Sequence, residues 1–267
     1  MKKLALFVAA IAFTAPLFAQ DSTARKKDRR DERREERRRK VNDLIRQEEE
    51  GVLVYKKQNI FGVQLRTNGY GFFYEIGRMK SQRNTSIYSI GFSEIKHRKE
   101  DKSPNTGFVF GNPYVYGKIN NFYQLQLGFG QQHILGQKGN KNGVAVSMLY
   151  SCGLSLGLLR PYYIDVEDNG NSRSIKYTQQ DSALFVDGPI FGGSGIGKGW
   201  GELKIKPGAF ARTALRFDYG RFNEVVSGIE VGLSVEFYSS KIPILLFQDD
   251  KQLYFQGHIA ILFGRRK

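Results

Sequence analysis

From Asn59 onward, apolar and polar residues alternate with a period of two. That is the spacing of a β-strand whose two faces meet different surroundings. Between Gly143 and Val166 the even positions Val144, Val146, Met148, Tyr150, Cys152, Leu154, Leu156 and Leu158 are large and apolar, while most odd ones are Ala, Ser or Gly. Between Glu224 and Ser239 the odd positions Val225, Ile229, Val231, Leu233, Val235 and Phe237 oppose Glu224, Gly228, Glu230, Gly232, Ser234 and Glu236. The last strand repeats the plan, with Leu253, Phe255, Ile259, Ile261 and Phe263 opposite Gln252, Gln256 and His258. Runs 60–67, 70–79, 85–96, 121–132 and 208–219 also read as strands, which brings the count to eight.

Short junctions such as Asn68-Gly69 and Gly220 to Asn223 indicate hairpins, so the strands are expected to form an antiparallel up-and-down meander. Connections 80–84, 133–142 and 220–223 are short, whereas 97–120 and 167–207 are long. That asymmetry matches a transmembrane β-barrel with its long loops outside and its N-terminus periplasmic. Tyr114 to Tyr116 offer an extension of the fourth strand and Leu203 to Ile205 of the sixth, which leaves ten strands as the alternative count. A soluble sandwich or lipocalin-like barrel also alternates, with its apolar face inward. Strand length and the aromatics at strand ends, among them Tyr70, Phe72, Tyr123, Phe217 and Phe263, favour the membrane barrel.

The first 50 residues follow other rules. Lys2 and Lys3 precede an apolar run from Leu4 to Phe18, the layout of a cleaved secretory signal peptide over residues 1–19. The run is too short for a comfortable membrane anchor. Segment 20–50 holds 12 basic and 10 acidic residues between Asp21 and Glu50, often three and four positions apart, and reads as a solvated helical or flexible arm. Its apolar residues Val41, Leu44 and Ile45 form a short candidate face for a partner. The barrel domain is expected to span 51–267.

The net charge of +15 is therefore spread out: residues 51–267 carry 27 basic against 16 acidic groups with no single patch. In an exported protein the expected counterions are phosphate-bearing lipid headgroups, including those of lipopolysaccharide, and not nucleic acid. The one cysteine, Cys152, excludes an internal disulfide and lies far from the signal-peptide junction that a lipoprotein would use.

Segments RTNGYGFFYEIGRMKS (66–81) and YGKINNFYQLQLGFGQ (116–131), together with the ending IAILFGRRK, resemble uncharacterised outer-membrane β-barrel proteins of Bacteroidota. The resemblance covers roughly 59–267 and implies location and fold, but brings no catalytic residues. Phe263 is followed by Gly264, Arg265, Arg266 and Lys267, which displaces the usual terminal aromatic of such barrels.

Candidate chemistry is sparse. Gly192 to Lys198 spell GGSGIGK, close to a phosphate-binding loop, but Gly199 stands where Ser or Thr would hold magnesium, and no strand-loop-helix context surrounds it. A glycine-rich outer loop is the expectation. The three histidines, His97, His133 and His258, lack both metal-ligand spacing and the His-any-Ser pattern of a lipid A deacylase. Arg66, Glu75, Arg212, Arg216, Asp218, Glu230, Glu236 and His258, with Gln64, Gln124 and Gln126, share the lumen parity and are expected to pack as a polar network. His258 is in reach of Glu230 or Glu236. The reading is a structural or interaction protein of the outer membrane, not an enzyme and without a cofactor, whose partners are outer-membrane lipid and another envelope protein. Its rivals are a lipid-modifying barrel enzyme and a small porin.

Overall fold

The computed structural model describes residues 34–39, 42, 55–103, 112–139, 143–168, 170–220 and 224–267. The chain forms two compact units, Met1–Val52 and Leu53–Lys267. In the first unit the described residues are helical and exposed. The signal-peptide segment 1–19 and the candidate contact residues Val41, Leu44 and Ile45 lie outside the described residues.

The second unit is built from strands. The first five are β1 (Lys57–Arg66), β2 (Gly69–Met79), β3 (Asn84–Ile95), β4 (Lys102–Ser103) and β5 (Tyr114–Val115). Next come β6 (Asn120–Gly136), β7 (Ala145–Pro161), β8 (Tyr163–Asp168), β9 (Asn171–Lys176), helix α1 (Ser182–Asp187) and β10 (Ile190–Gly193). The chain ends with β11 (Lys204–Asp218), β12 (Val225–Ile242) and β13 (Lys251–Arg266). Eight of these strands close a barrel in the order β1-β2-β3-β6-β7-β11-β12-β13, and β13 pairs back onto β1. Every barrel pairing is antiparallel. The ten-strand alternative does not arise, because Tyr114 and Val115 pair with β4 outside the barrel and Lys204 and Ile205 prolong β11.

Parity along each strand sorts the side chains. On β12, Leu233 is 49% exposed while Glu230 and Glu236 are 0% exposed. The same split runs round the barrel, with Phe61, Phe72, Tyr88, Phe129, Leu154, Leu215 and Ile259 outside. On β13 the apolar stretch from Leu253 to Phe263 covers ten residue steps. At ~3.3 Å per step and a tilt near ~40° this is about 25 Å along the barrel axis, the thickness of a hydrocarbon core. Apolar surface on that scale is not left in water, and its height matches a hydrocarbon layer. Cys152 lies within the belt, paired across the strands with Phe129 and Ala211, and is exposed. In lipid vesicles it should resist a charged, impermeant thiol reagent until the barrel is denatured, because hydrocarbon excludes the reagent and disfavours the charged thiolate with which it reacts. Labelling of the folded barrel as fast as the denatured chain would place this face in water.

The first turn differs in detail from its sequence signal. Arg66 pairs with Gly69, so the two-residue loop is Thr67-Asn68. Glycine at 69 serves a close approach: a Cβ there would overlap the Glu94 carbonyl oxygen of β3.

The larger correction concerns 167–207, expected as one long external connection with a glycine-rich loop at Gly192 to Lys198. It contains most of a folded cap. Strand β8 continues from β7 after a break at Tyr162 and forms a three-stranded sheet with β9 and β10. Ile164, Val166, Ile175 and Phe185 make a small core between this sheet and α1. These strands are four to six residues long, too short to present a periodic signal of their own.

Candidate functional site

The barrel interior changes character along β12. Near the outer end, Tyr238 and Ile242 join Phe122, Leu159 and Tyr254 in an apolar plug, closed above by Ile244 and Leu245. Its aromatic rings meet edge-on or tilted, with centroids 5.4 to 5.9 Å apart. Below the plug lie the charges. Arg66 is bonded to Glu236 and donates to Gln124 at 2.6 Å, Ser93 at 2.8 Å and Ser234 at 3.2 Å. Glu236 also accepts from Gln126 at 3.0 Å and from Gln256.

The second group centres on Glu230. Arg216 contacts it at 2.7 Å and Glu75 at 2.6 Å, Arg212 bonds to it as well, and His258 Nε2 lies 3.2 Å away. Arg212 also stacks over the Phe73 ring at 4.7 Å. Of the two carboxylates the sequence offered His258, the fold supplies Glu230. Asp218 lies apart from both groups, at the inner end, where Arg266 reaches it at 2.5 Å and Lys138 at 3.6 Å. The aliphatic and aromatic side chains Ile60, Phe73, Val226 and Leu262 fill the level between.

Glycines make this packing possible by leaving room. A Cβ at Gly62 would overlap the Phe73 ring, one at Gly128 would lie 2.8 Å from Phe210 Cζ, and one at Gly232 would lie 2.6 Å from His258 Cε1. Arg216, Gln124, Glu230 and Glu236 are each at most 1% exposed. A water-filled pore would wet such groups.

A second place, missed in the sequence, lies on the outside of the barrel wall at its outer end. A cavity of about 550 Å³ is bounded by the tops of β2, β3, β6 and β7, by residues 96–102 and 112–118, and by the glycine-rich loop after β10. Gly192 allows that loop to close, since its φ of +150° and its contact with the Asn112 carbonyl leave no space for a Cβ. The lysine of GGSGIGK is engaged inside the cap, where Lys198 bonds to Ser174 and lies 3.8 Å from Asp165.

Cross-strand register assembles the wall. Tyr70 pairs with Glu94 and Glu94 with Tyr123, while Asn121 pairs with Arg160. All have the outward parity of the lipid-facing residues below them. Tyr70 donates to Glu94 at 2.5 Å, and the Lys96 ammonium sits 5.0 Å over the Tyr70 ring. Lys118 is paired with Glu100 at 2.7 Å. Arg160 lies beside the stacked rings of Tyr123 and Trp200, 5.6 and 4.9 Å from their centroids, and donates to the Ile196 carbonyl. Burial pushes the Tyr162 hydroxyl pKa up. Burial and the neighbouring Lys251 hold His97 below the ordinary histidine value. Tyr70 and Tyr123 were legible only as interfacial aromatics. The usable signal was polar Asn121 and Arg160 at outward positions, just where each apolar face ends.

Among the described residues no group of three or more His, Cys, Asp or Glu is placed to hold a metal ion. No family model and no curated protein matches the chain. Solved structures similar to it include Neisserial surface protein A, with 7% identity over 79% of this chain and 96% of that one and a TM-score of 0.41. The N-terminal β-barrel domain of Pseudomonas aeruginosa OprF shows 9% identity over 79% and 98%, with a TM-score of 0.35. Ail, the attachment invasion locus protein of Yersinia pestis, shows 10% identity over 80% and 100%, with a TM-score of 0.36. Similarity of this degree bears on no ligand or partner, and the eight-stranded antiparallel barrel rests on its own strand pairing.

Proposed function

We propose that this chain is an outer-membrane envelope protein whose barrel is a closed anchor for the folded external cap. The observation that supports it most is the division of the wall, with an apolar belt outside and a charge network sealed inside. An eight-stranded barrel has an interior about wide enough for side chains alone, and here aromatic and ionic layers occupy it. In this reading residues 1–19 direct export and are removed. The charged segment 20–50 is the periplasmic arm, with Val41, Leu44 and Ile45 as its partner contact. The resemblance of 66–81 and 116–131 to Bacteroidota barrels belongs to the same proposal. Its partners are outer-leaflet lipid and another envelope component, and it performs no catalysis.

Conductance tests the closed lumen. Folded protein reconstituted into planar bilayers should add no conductance steps to those of the bare membrane, because ions would have to displace Arg216, Glu230 and Glu236. Stable unitary steps would establish the small porin instead.

A further inference from the structure

The outer-wall cavity faces a particular neighbour. Its wall residues Tyr70, Asn121, Tyr123 and Arg160 stand on the lipid-facing side of their strands, one step above Phe72, Phe92 and Leu125. At that level a membrane presents lipid headgroups. The cavity lining has unspent donors: Arg160 and Asn121 are 5% and 7% exposed, yet among the described residues Arg160 Nε and the Asn121 side-chain nitrogen have no hydrogen-bond partner. Two buried N–H donors without an acceptor are costly unless an acceptor arrives. The charge has the same sense, since Lys96, Lys102, Lys118 and Arg160 line the cavity against Glu94 and Glu100. Glu100 is already spent on Lys118 and Glu94 accepts the Tyr70 hydroxyl.

A track leads down from it. The rings of Phe61, Phe72, Phe92, Tyr123 and Trp200 follow one another with centroids 6.4, 5.7, 5.8 and 5.6 Å apart, running from the apolar belt to the cavity edge. An acyl chain lying on Phe72 and Phe92 would bring its headgroup to Arg160 and Asn121. The volume of about 550 Å³ suits a phosphorylated glycerol or sugar, within the usual range for small-molecule sites.

We infer that this cavity binds the anionic phosphate headgroup of an outer-leaflet lipid, with Arg160, Asn121 and Lys96 as the phosphate contacts and the aromatic track as the seat of one acyl chain. The inference rests on the membrane reading above and deepens it by naming a lipid site.

Trp200 is the sole tryptophan of the chain and stacks on Tyr123 at the cavity edge, so its fluorescence reports which lipid is adjacent. The protein is folded into phosphatidylcholine vesicles containing either brominated phosphatidic acid or, at the same mole fraction, brominated phosphatidylcholine. Phosphatidic acid should quench Trp200 as though enriched about tenfold beside it, the factor expected of a few charge-assisted contacts. Lys96→Gln combined with Asn121→Leu should bring the two lipids close to parity while heat-dependent gel mobility stays that of the folded barrel. Lys96→Gln alone touches no buried donor and should lower the enrichment partly. Inorganic phosphate in excess should leave the wild-type preference unchanged.

Equal quenching by both lipids in the wild-type protein overturns the inference, and so does loss of the preference to inorganic phosphate, which would make the ligand a soluble phosphate. Quenching by neither lipid is a different result, for it removes Trp200 from the membrane and defeats the reading beneath.

Discussion

Replacing Glu230 with leucine should destabilise the barrel by about 3–5 kcal/mol, the cost of stranding buried charge in a low-dielectric interior. Glu230 is 0% exposed and meets Arg212, Arg216 and His258. Without it, Arg216 keeps Glu75 at 2.6 Å, while Arg212 is left with the same carboxylate at 3.9 Å. Two guanidinium groups then share one carboxylate with no water to screen them. The paired change Arg212→Met with Glu230→Leu removes one charge of each sign and should recover most of the loss, since methionine can still cover the Phe73 ring. Urea titration of the protein folded in lipid vesicles, read by gel mobility, gives both values. A Glu230→Leu midpoint equal to wild type would show that this network adds packing and no electrostatic stability.

Leu233→Arg should cost about 2–4 kcal/mol, because it places a guanidinium among acyl chains near mid-depth. Leu233 is 49% exposed and faces Thr213 and Gly257 across its two neighbouring strands. The adjacent Ser234 points into the lumen and accepts a hydrogen bond from Arg66 at 3.2 Å, one of four partners of that guanidinium among the described residues, so Ser234→Ala leaves Arg66 paired and should cost less than Leu233→Arg. The same vesicle titration compares them. Should Ser234→Ala prove the more damaging while Leu233→Arg folds normally, the apolar face would be the interior and the barrel soluble.

The order of these two effects was legible before any coordinates, because parity is a local property. Each β-strand sends successive side chains to opposite faces whatever it pairs with. Arg66, Glu75, Arg212, Arg216, Glu230 and Glu236 therefore fell on one face and Leu233 on the other from sequence alone. The strand count was equally local, since eight long alternating runs are separated by turn-forming residues. The cap escaped because β8, β9 and β10 are short and two-sided, and owe their existence to the packing of Ile164, Val166, Ile175 and Phe185.

The chain by itself thus determined strands, parity and the segregation of charge from lipid, all of which follow from backbone geometry repeated every two residues. Tertiary structure alone decided which groups meet. Arg66 and Glu236 are 170 positions apart, and only closure of β13 onto β1 brings their strands round one lumen. The glycines at 62, 128 and 232 are small-residue positions in the sequence, and the ring each admits is set by register, from the paired strand at Gly62 and Gly232 and from β11, one strand further round, at Gly128. Tyr70, Glu94, Tyr123 and Arg160 each read as an ordinary strand end, and they form one wall because register aligns the tops of four strands beneath a folded cap. Period-two patterning carries no information about register between distant strands, which is fixed by packing in three dimensions.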